Sequence, residues 1–358
     1  MINPKDISVV VQGINIKHQT KRCIKSIRKY LPGATIIFST YKNHNVDGLD
    51  YDVLVESDDP GATKITKTLS NMTNRILVTS KAGLGAVKTK YVIRMRSDLI
   101  FTNSKILNDI AKQFPKRDKK YSIFKERVLF YSIFSRYQET LSPKFVIDRP
   151  FDLSDWLCFG LTEDVKDYYD CPLTNEPDFS LFYEKNTGFK ILDKGATWKF
   201  PPEQWVGMNF FSRYFPECKM KDQLDYTLDK VQLSHILLAN NVISVGFNEI
   251  GVYIQKKTYK KLSKNKDYLA ADDWIHGIYL YPTFVKDYKR YCDESYKDYY
   301  NGEYFENLKE HFANHYKIVV RPFCRLKKIR HYIADIISCF WYGGAMIKYK
   351  IQNRKKRL

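Results

Sequence analysis

Short apolar runs alternate with amphipathic stretches along the first part of the chain. Ile7 to Val11 is a β-branched run ended by Gly13, the pattern of a strand buried on both faces in a parallel sheet. From Lys17 to Leu31, Cys23, Ile24, Ile27 and Leu31 recur at helical spacing, and Pro32-Gly33 closes the helix. Ala34 to Thr40 predicts a second strand and Val53 to Glu56 a third. Asn71 to Val87 predicts another helix, and Tyr91 to Arg96 a fourth strand that runs into Ser97-Asp98. This is α/β order, which predicts a mostly parallel sheet with its ligand at the carboxyl ends of the strands.

Periodicity weakens between about Lys116 and Asp193, where Val128 to Phe134 and Trp156 to Gly160 read as strands between Pro- and Asp-containing loops. Helical spacing returns from Pro202 to Tyr214 and from Asp222 to Asn240, and Ile243 to Val245 and Gly251 to Ile254 read as short strands. No Gly/Ser linker or low-complexity stretch divides residues 1–255, which are read as one unit of catalytic size. The Tyr- and Lys-rich segment 256–320 predicts a helical extension. In 323–341, Phe323, Leu326, Ile329, Ile333, Ile336, Ile337 and Phe340 line one helical face and Arg325, Lys327, Lys328, Arg330 and His331 the other. Trp341-Tyr342 and a basic terminal run follow. Such a helix suits an anionic leaflet, with aromatic anchors at the interface; the competing reading is a core helix with a solvated basic tail.

Composition sharpens this picture. The 358 residues are 44% hydrophobic and 15% aromatic, which excludes a disordered chain. Lys and Arg number 59 against 40 acids, a formal charge of +19, which suits polyanions, nucleotide phosphates and acidic membranes alike. Segment 321–358 holds eleven Lys and Arg and one acid, Asp335, and carries +10, leaving +9 for residues 1–320. No zinc-finger, helix-turn-helix or RNP-like pattern accompanies the basic tail, which argues against nucleic acid. The seven cysteines are scattered without a CxxC pair, so buried free thiols in a reducing compartment are expected. The N-terminus has no signal-peptide pattern, and the apolar stretch from Ile333 to Ile347 contains Asp335 and is too short to span a bilayer. The expectation is a cytoplasmic protein held peripherally on the inner face of the membrane through 321–358.

Candidate chemistry concentrates in KYVIRMRSDLIF, Lys90 to Phe101. A buried strand ending in Ser-Asp puts Asp98 at the sheet edge, where a carboxylate can hold a divalent cation bridging a diphosphate; a turn or N-cap role is the alternative. Upstream, Asp59-Pro60-Gly61 forms a turn, and Asn71, Asn74 and Arg75 open the helix that leads to Gly83-Leu84-Gly85. Amide and guanidinium donors there can cradle a nucleotide diphosphate, or simply cap and solvate the helix. His311 and His315 share a helical face without an HExxH pattern, and no serine sits in a GxSxG elbow, so neither a zinc protease nor a serine hydrolase is supported.

VVVQG, CIKSIRKYLPGATIIFST, LDYD, the DPG turn, NRILVTSKAGL and KYVIRMRSDL, in this order, with SDWLCFG (Ser154 to Gly160) and PPEQW (Pro201 to Trp205) later, resemble the WavE family of bacterial lipopolysaccharide-synthesis proteins. The resemblance covers roughly residues 5–255. It implies a GT-A-like, Rossmann-type mixed sheet flanked by helices, with a nucleotide-binding half at about 1–115 and an acceptor half at about 116–255, ahead of the C-terminal helical extension read from composition. It further implies that Gln12 and Gly13 lie near the nucleotide and that Arg75 reaches the diphosphate or donor sugar. Arg96-Ser97-Asp98 takes the place of the Asp-x-Asp motif. The first acidic position is Arg96 here, so a Mg²⁺ or Mn²⁺ ion would rest on Asp98 alone, and Arg96 offers phosphate a direct partner.

Sugar transfer with inversion also needs a group to take the acceptor's proton. Asp155 and Glu203 are the candidates, with Glu203 as base and Asp155 as a sugar contact; a first-turn Glu is also favourable to the helix dipole without any catalysis. The expected activity is transfer from a nucleotide sugar, a UDP-sugar foremost, to a lipid-linked or lipopolysaccharide or capsule glycan. The alternatives are a nucleotidyl- or phosphosugar-transferase and a non-catalytic membrane-bound scaffold of glycan assembly.

Overall fold

The computed structural model describes residues 1–65, 69–142, 145–187, 198–255 and 277–297. Two compact units divide the chain, Met1–Asp298 and Tyr299–Leu358, and every described residue lies in the first. The expected basic tail, and the expected extension apart from 277–297, lie outside the described residues.

The first unit is built on a seven-stranded sheet. Its amino-terminal strands are β1 (Ile7–Gln12), β2 (Thr35–Tyr41) and β3 (Val53–Ser57), with helix α1 (His18–Tyr30) between the first two. After the two-residue strands β4 (Thr63–Lys64) and β5 (Ser70–Asn71) come α2 (Thr73–Gly85), β6 (Tyr91–Arg96) and β7 (Leu99–Phe101). Then follow β8 (Val128–Tyr131), β9 (Arg136–Ser142), β10 (Phe145–Asp152), β11 (Leu157–Leu161) and α3 (Thr162–Tyr168). The sheet order is β12-β8-β11-β6-β1-β2-β3, with β12 at Val242–Val245. All neighbours are parallel except β11, which runs antiparallel to both β6 and β8. This is the α/β, Rossmann-type mixed sheet expected of a GT-A-like chain.

The apolar run of β1 is buried at every residue, so it needs cover on both faces. α2 lies close against it because Gly83 has no side chain: a Cβ there would stand 2.5 Å from Val10 Cγ1 and 2.8 Å from Ser39 Cβ. From β1 the chain builds β2 and β3 on one side, then returns to place β6 on the other. The order therefore reverses between β1 and β6, and such a switch point opens a crevice beyond the strands' carboxyl ends.

A second layer forms over that end. β9 and β10 pair as an antiparallel hairpin, with Arg136 opposite Asp152 and Gln138 opposite Asp148. α5 (Pro202–Tyr214) packs on β10, and α6 (Leu228–Asn241) packs beside it. Phe151 turns the chain with φ of 62°, a left-handed conformation costly for a non-glycine residue; its N–H donates to Ser234 Oγ of α6 at 2.8 Å. Gly207 allows the approach of α5, since a Cβ there would lie 2.0 Å from the Phe151 carbonyl oxygen. After a one-turn helix α7 (Phe247–Ile250), β13 (Val252–Ile254) pairs antiparallel with β7. A short helix α4 (Phe182–Thr187) precedes α5, and α8 (Tyr281–Tyr291) packs on α6 and β12.

Several elements differ from expectation in extent. The second helix begins at Thr73, because Asn71 pairs in β5. The helix expected from Asp222 starts at Leu228, where Thr227 Oγ1 accepts from the Lys230 N–H. The β9–β10 hairpin and α3 had no clear signal in the sequence: β9 reads RYQETLS, and its charged residues serve a buried ionic cluster rather than an apolar face.

Candidate functional site

Five of the expected residues meet at the switch point. Gln12 ends β1, and its Oε1 accepts from Thr79 Oγ1 at 2.9 Å, tying the strand to α2. Gly13 follows with φ of 113°, a region side chains rarely adopt, and donates its N–H to the Ser39 carbonyl. Ser97, at the end of β6, donates its N–H to the Gln12 carbonyl at 3.3 Å and its hydroxyl to the Ile14 carbonyl at 3.0 Å. Arg96 reaches Asp98 as a fork: Nε donates to Oδ1 at 3.0 Å and Nη2 to Oδ2 at 2.8 Å. Its guanidinium lies 4.2 Å from the centre of the Trp156 ring, a cation–π geometry that fixes the plane.

The three expected donors at the start of α2 are engaged locally. Asn71 Oδ1 accepts from the Thr73 N–H at 2.8 Å and hydroxyl at 2.6 Å, in a local turn that leads into the helix. Asn74 clamps the backbone of Thr174, accepting from its N–H at 2.7 Å and donating to its carbonyl at 3.0 Å. Arg75 binds both oxygens of Asp59, the acid of the Asp-Pro-Gly turn, with Nε to Oδ1 at 2.7 Å. This pairing holds the Asp59 carboxyl below its usual range and raises the Arg75 proton affinity.

The second constellation lies on the other side of Trp156. Glu203 stands in the first turn of α5, just after Pro201-Pro202, where the helix dipole would favour a carboxylate. Burial wins: loss of water, then the nearby charge of Asp155, pushes the Glu203 carboxyl well up, against the opposing pull of Arg136. Arg136 Nη2 lies 3.1 Å from Asp152 Oδ2 and 3.8 Å from Glu203 Oε2, and Arg136 Nη1 lies 3.4 Å from Glu139 Oε1. Burial also pushes Asp152 up, against Arg136. Glu139 is held low despite burial because two guanidiniums, Arg136 and Arg149, face it. Arg149 donates to Glu139 Oε2 from Nε at 2.8 Å and to Gln223 Oε1 from Nη1 at 2.5 Å.

Asp155 is held by its backbone. The Ser154 N–H donates to Ser135 Oγ at 3.0 Å, and the Trp156 N–H to Ser154 Oγ at 3.2 Å. Beneath the turn, the fully buried Arg94 donates to the Asp155 carbonyl and, from Nε, to Ser80 Oγ at 2.9 Å. Asp155 Oδ1 is buried without a hydrogen-bond donor among the described residues. The next residue, Trp156, accepts from the Arg96 N–H through its carbonyl at 3.0 Å. Asp155-Trp156 thus joins the carboxylate cluster directly to the switch-point edge.

Arg136, Asp152, Glu139, Arg149 and Arg94 escaped the sequence reading. The available signal was the charge set into RYQETLS and again into FVIDRPFD, whose acids and arginines the hairpin register brings together. Among the described residues no group of three or more His, Cys, Asp or Glu side chains could hold a metal ion. Asp98 does not fit a divalent cation either: such ions need several oxygen ligands, while both of its oxygens accept from Arg96 and the guanidinium's positive charge stands beside them. Cys23, Cys158, Cys171 and Cys218 are buried free thiols, as expected, whereas the free Cys292 is half-buried; Cys324 and Cys339 lie outside the described residues.

Residues 7–316 match the family described as WavE lipopolysaccharide synthesis. The chain belongs to the WavE family. No curated protein matches it. WavE membership places the chain in lipopolysaccharide synthesis. No helix among the described residues of this WavE chain is long and apolar enough to cross a membrane.

Proposed function

We propose that the chain is a glycosyltransferase that moves a sugar from a nucleotide-sugar donor, a UDP-sugar foremost, to a lipid-linked or lipopolysaccharide or capsule glycan. The observation that carries this reading is the junction at Asp155-Trp156. One side holds a carboxyl group of raised proton affinity, Glu203; the other holds an oriented guanidinium, Arg96, at the sheet's switch point. Displacement at a sugar carbon needs both, a proton acceptor for the incoming hydroxyl and positive charge for the departing phosphate.

In an inverting transfer the acceptor oxygen attacks the anomeric carbon and the carbon–oxygen bond to the diphosphate breaks. The hydroxyl proton passes to the Glu203 carboxylate, and the electron pair of the broken bond leaves with the nucleoside diphosphate. A carboxyl titrating near the working pH is well matched to this task, because it is a stronger base than an ordinary glutamate. Asp155 contributes twice: its charge raises Glu203, and its buried Oδ1 is an acceptor for a sugar hydroxyl. Gly13 and Ser97 border the diphosphate.

The same reading gives segment 321–358 the task of holding the enzyme on the inner face of the cytoplasmic membrane, where a lipid-linked acceptor would be found. Its +10 charge and amphipathic pattern support this. The test of function is a panel of nucleotide sugars, scored for thermal stabilisation and for transfer to lipopolysaccharide acceptors. Transfer that Glu203→Gln abolishes while donor binding persists is the expected result. A Glu203→Gln protein with full transfer rate removes the assignment.

A further inference from the structure

We infer that Arg96, clamped by Asp98 and stacked on Trp156, neutralises the leaving diphosphate in place of a divalent cation. The inference rests on the glycosyltransferase reading and deepens it at the donor end. A cation-dependent edge would present carboxylate oxygens to a metal; this edge presents a guanidinium whose partner carboxylate is already bound. Asp98 is 1% exposed and the Arg96 side chain 23%, so the positive end of the pair faces outward. Asp98 takes the Nε–Nη2 edge of the guanidinium, and a planar guanidinium can pair with phosphate along its Nη1–Nη2 edge as well.

Two features prepare Arg96 for this role. The Trp156 ring at 4.2 Å and the two bonds to Asp98 hold the guanidinium in one orientation, so little side-chain freedom is lost on binding. Among the described residues, the helix that follows β1 also favours an anion. The first turn of α1 contains no acid, and it is knitted to the Arg96 edge: Ser97 Oγ donates to the Ile14 carbonyl, Gln255 Nε2 to the Gln19 carbonyl, and the Gln255 N–H to the Asp98 carbonyl. His18 and Lys21 belong to that turn. As the bond to the anomeric carbon breaks, its electron pair remains on a phosphate oxygen, and Arg96 meets the new negative charge.

Calorimetric binding of UDP and of inorganic pyrophosphate to the full chain, in EDTA and again in Mn²⁺, tests this. The dissociation constants should agree within about threefold between the two conditions. Arg96→Met should weaken both ligands about 10- to 100-fold, the loss of charge-assisted hydrogen bonds, and Arg96→Lys should fall between. Binding that appears only with Mn²⁺ overturns the inference and leaves the glycosyltransferase reading standing. No binding of either ligand in either condition overturns both. Wild-type affinity in a folded Arg96→Met protein also overturns it. Should Arg96→Met fail to fold, the wild-type comparison and Arg96→Lys decide the question alone.

Discussion

Replacing Glu203 by Gln leaves the shape of the α5 start nearly unchanged and removes one ionisable group. In the folded protein, burial and then the charge of Asp155 push the Glu203 carboxyl from its usual 4.5 up to about 8. The folded state therefore holds this proton more tightly than the unfolded chain. The resulting stability is fully present below pH 4.5 and is lost as pH rises through about 8. At about 1.4 kcal/mol per pK unit, the whole difference amounts to roughly 5 kcal/mol, of which about 4 falls between pH 5 and pH 9. The amide of the variant does not titrate and adds no such slope. Urea unfolding of wild type and Glu203→Gln at several pH values between 5 and 9 should show the variant gaining on the wild type by up to about 4 kcal/mol across that range. The transfer rate of the variant should be depressed throughout. Stability curves that stay parallel would show that Glu203 ionises as an ordinary surface carboxyl, and the general-base assignment would lose its physical basis.

Asp155→Asn removes the charge that raises Glu203, so the basic pK that governs transfer should move to lower pH; an unmoved pH–rate profile would show that Asp155 acts by contact alone. Gly207→Ala puts a Cβ 2.0 Å from the Phe151 carbonyl oxygen, a backbone clash that cannot be relieved by a rotamer. It should cost at least about 3 kcal/mol of stability, read by denaturant unfolding, and a variant of normal stability would mean α5 sits farther from β10. Arg75→Ala breaks a partly exposed ion pair with Asp59 and should cost at most about 1 kcal/mol, with UDP affinity unchanged within twofold; a tenfold loss of affinity would place Arg75 on the donor. Deleting 321–358 should release the protein from anionic vesicles in a sedimentation assay while UDP binding persists, and a shortened protein that still sediments would assign membrane attachment elsewhere.

The elements that read clearly in the sequence were those whose hydrophobic pattern is dictated by burial alone. β1, α1, β2 and α2 carry largely apolar runs or an apolar stripe, because the sheet is covered by helices and packing decides most of these positions; β6 follows the same pattern except at the buried Arg94. Their ends were legible too: Gly13 and Ser97-Asp98 mark where strands stop, and from there the α/β order predicts a ligand edge. The hairpin of β9 and β10 was opaque for the opposite reason. Arg136, Arg149 and Asp152 are polar residues turned into the interior, with the half-buried Glu139 beside them, so they erase the alternation by which a half-buried strand is recognised.

The sequence by itself determined most strands of the sheet, the family and the identity of Glu203 and Asp155 as candidate carboxylates, since local spacing and ordered motifs suffice for these. The tertiary structure decided what surrounds those groups. Whether Asp98 is a metal ligand or the anchor of Arg96 depends on a side-chain fork and on Trp156, about sixty residues farther along the chain. Whether Glu203 is an ordinary surface acid or a strong base depends on loss of water and on the distance to Arg136, Asp152 and Asp155. Charge and desolvation act through space, and only the fold, helped by the missing side chain of Gly207, sets the spaces through which they act.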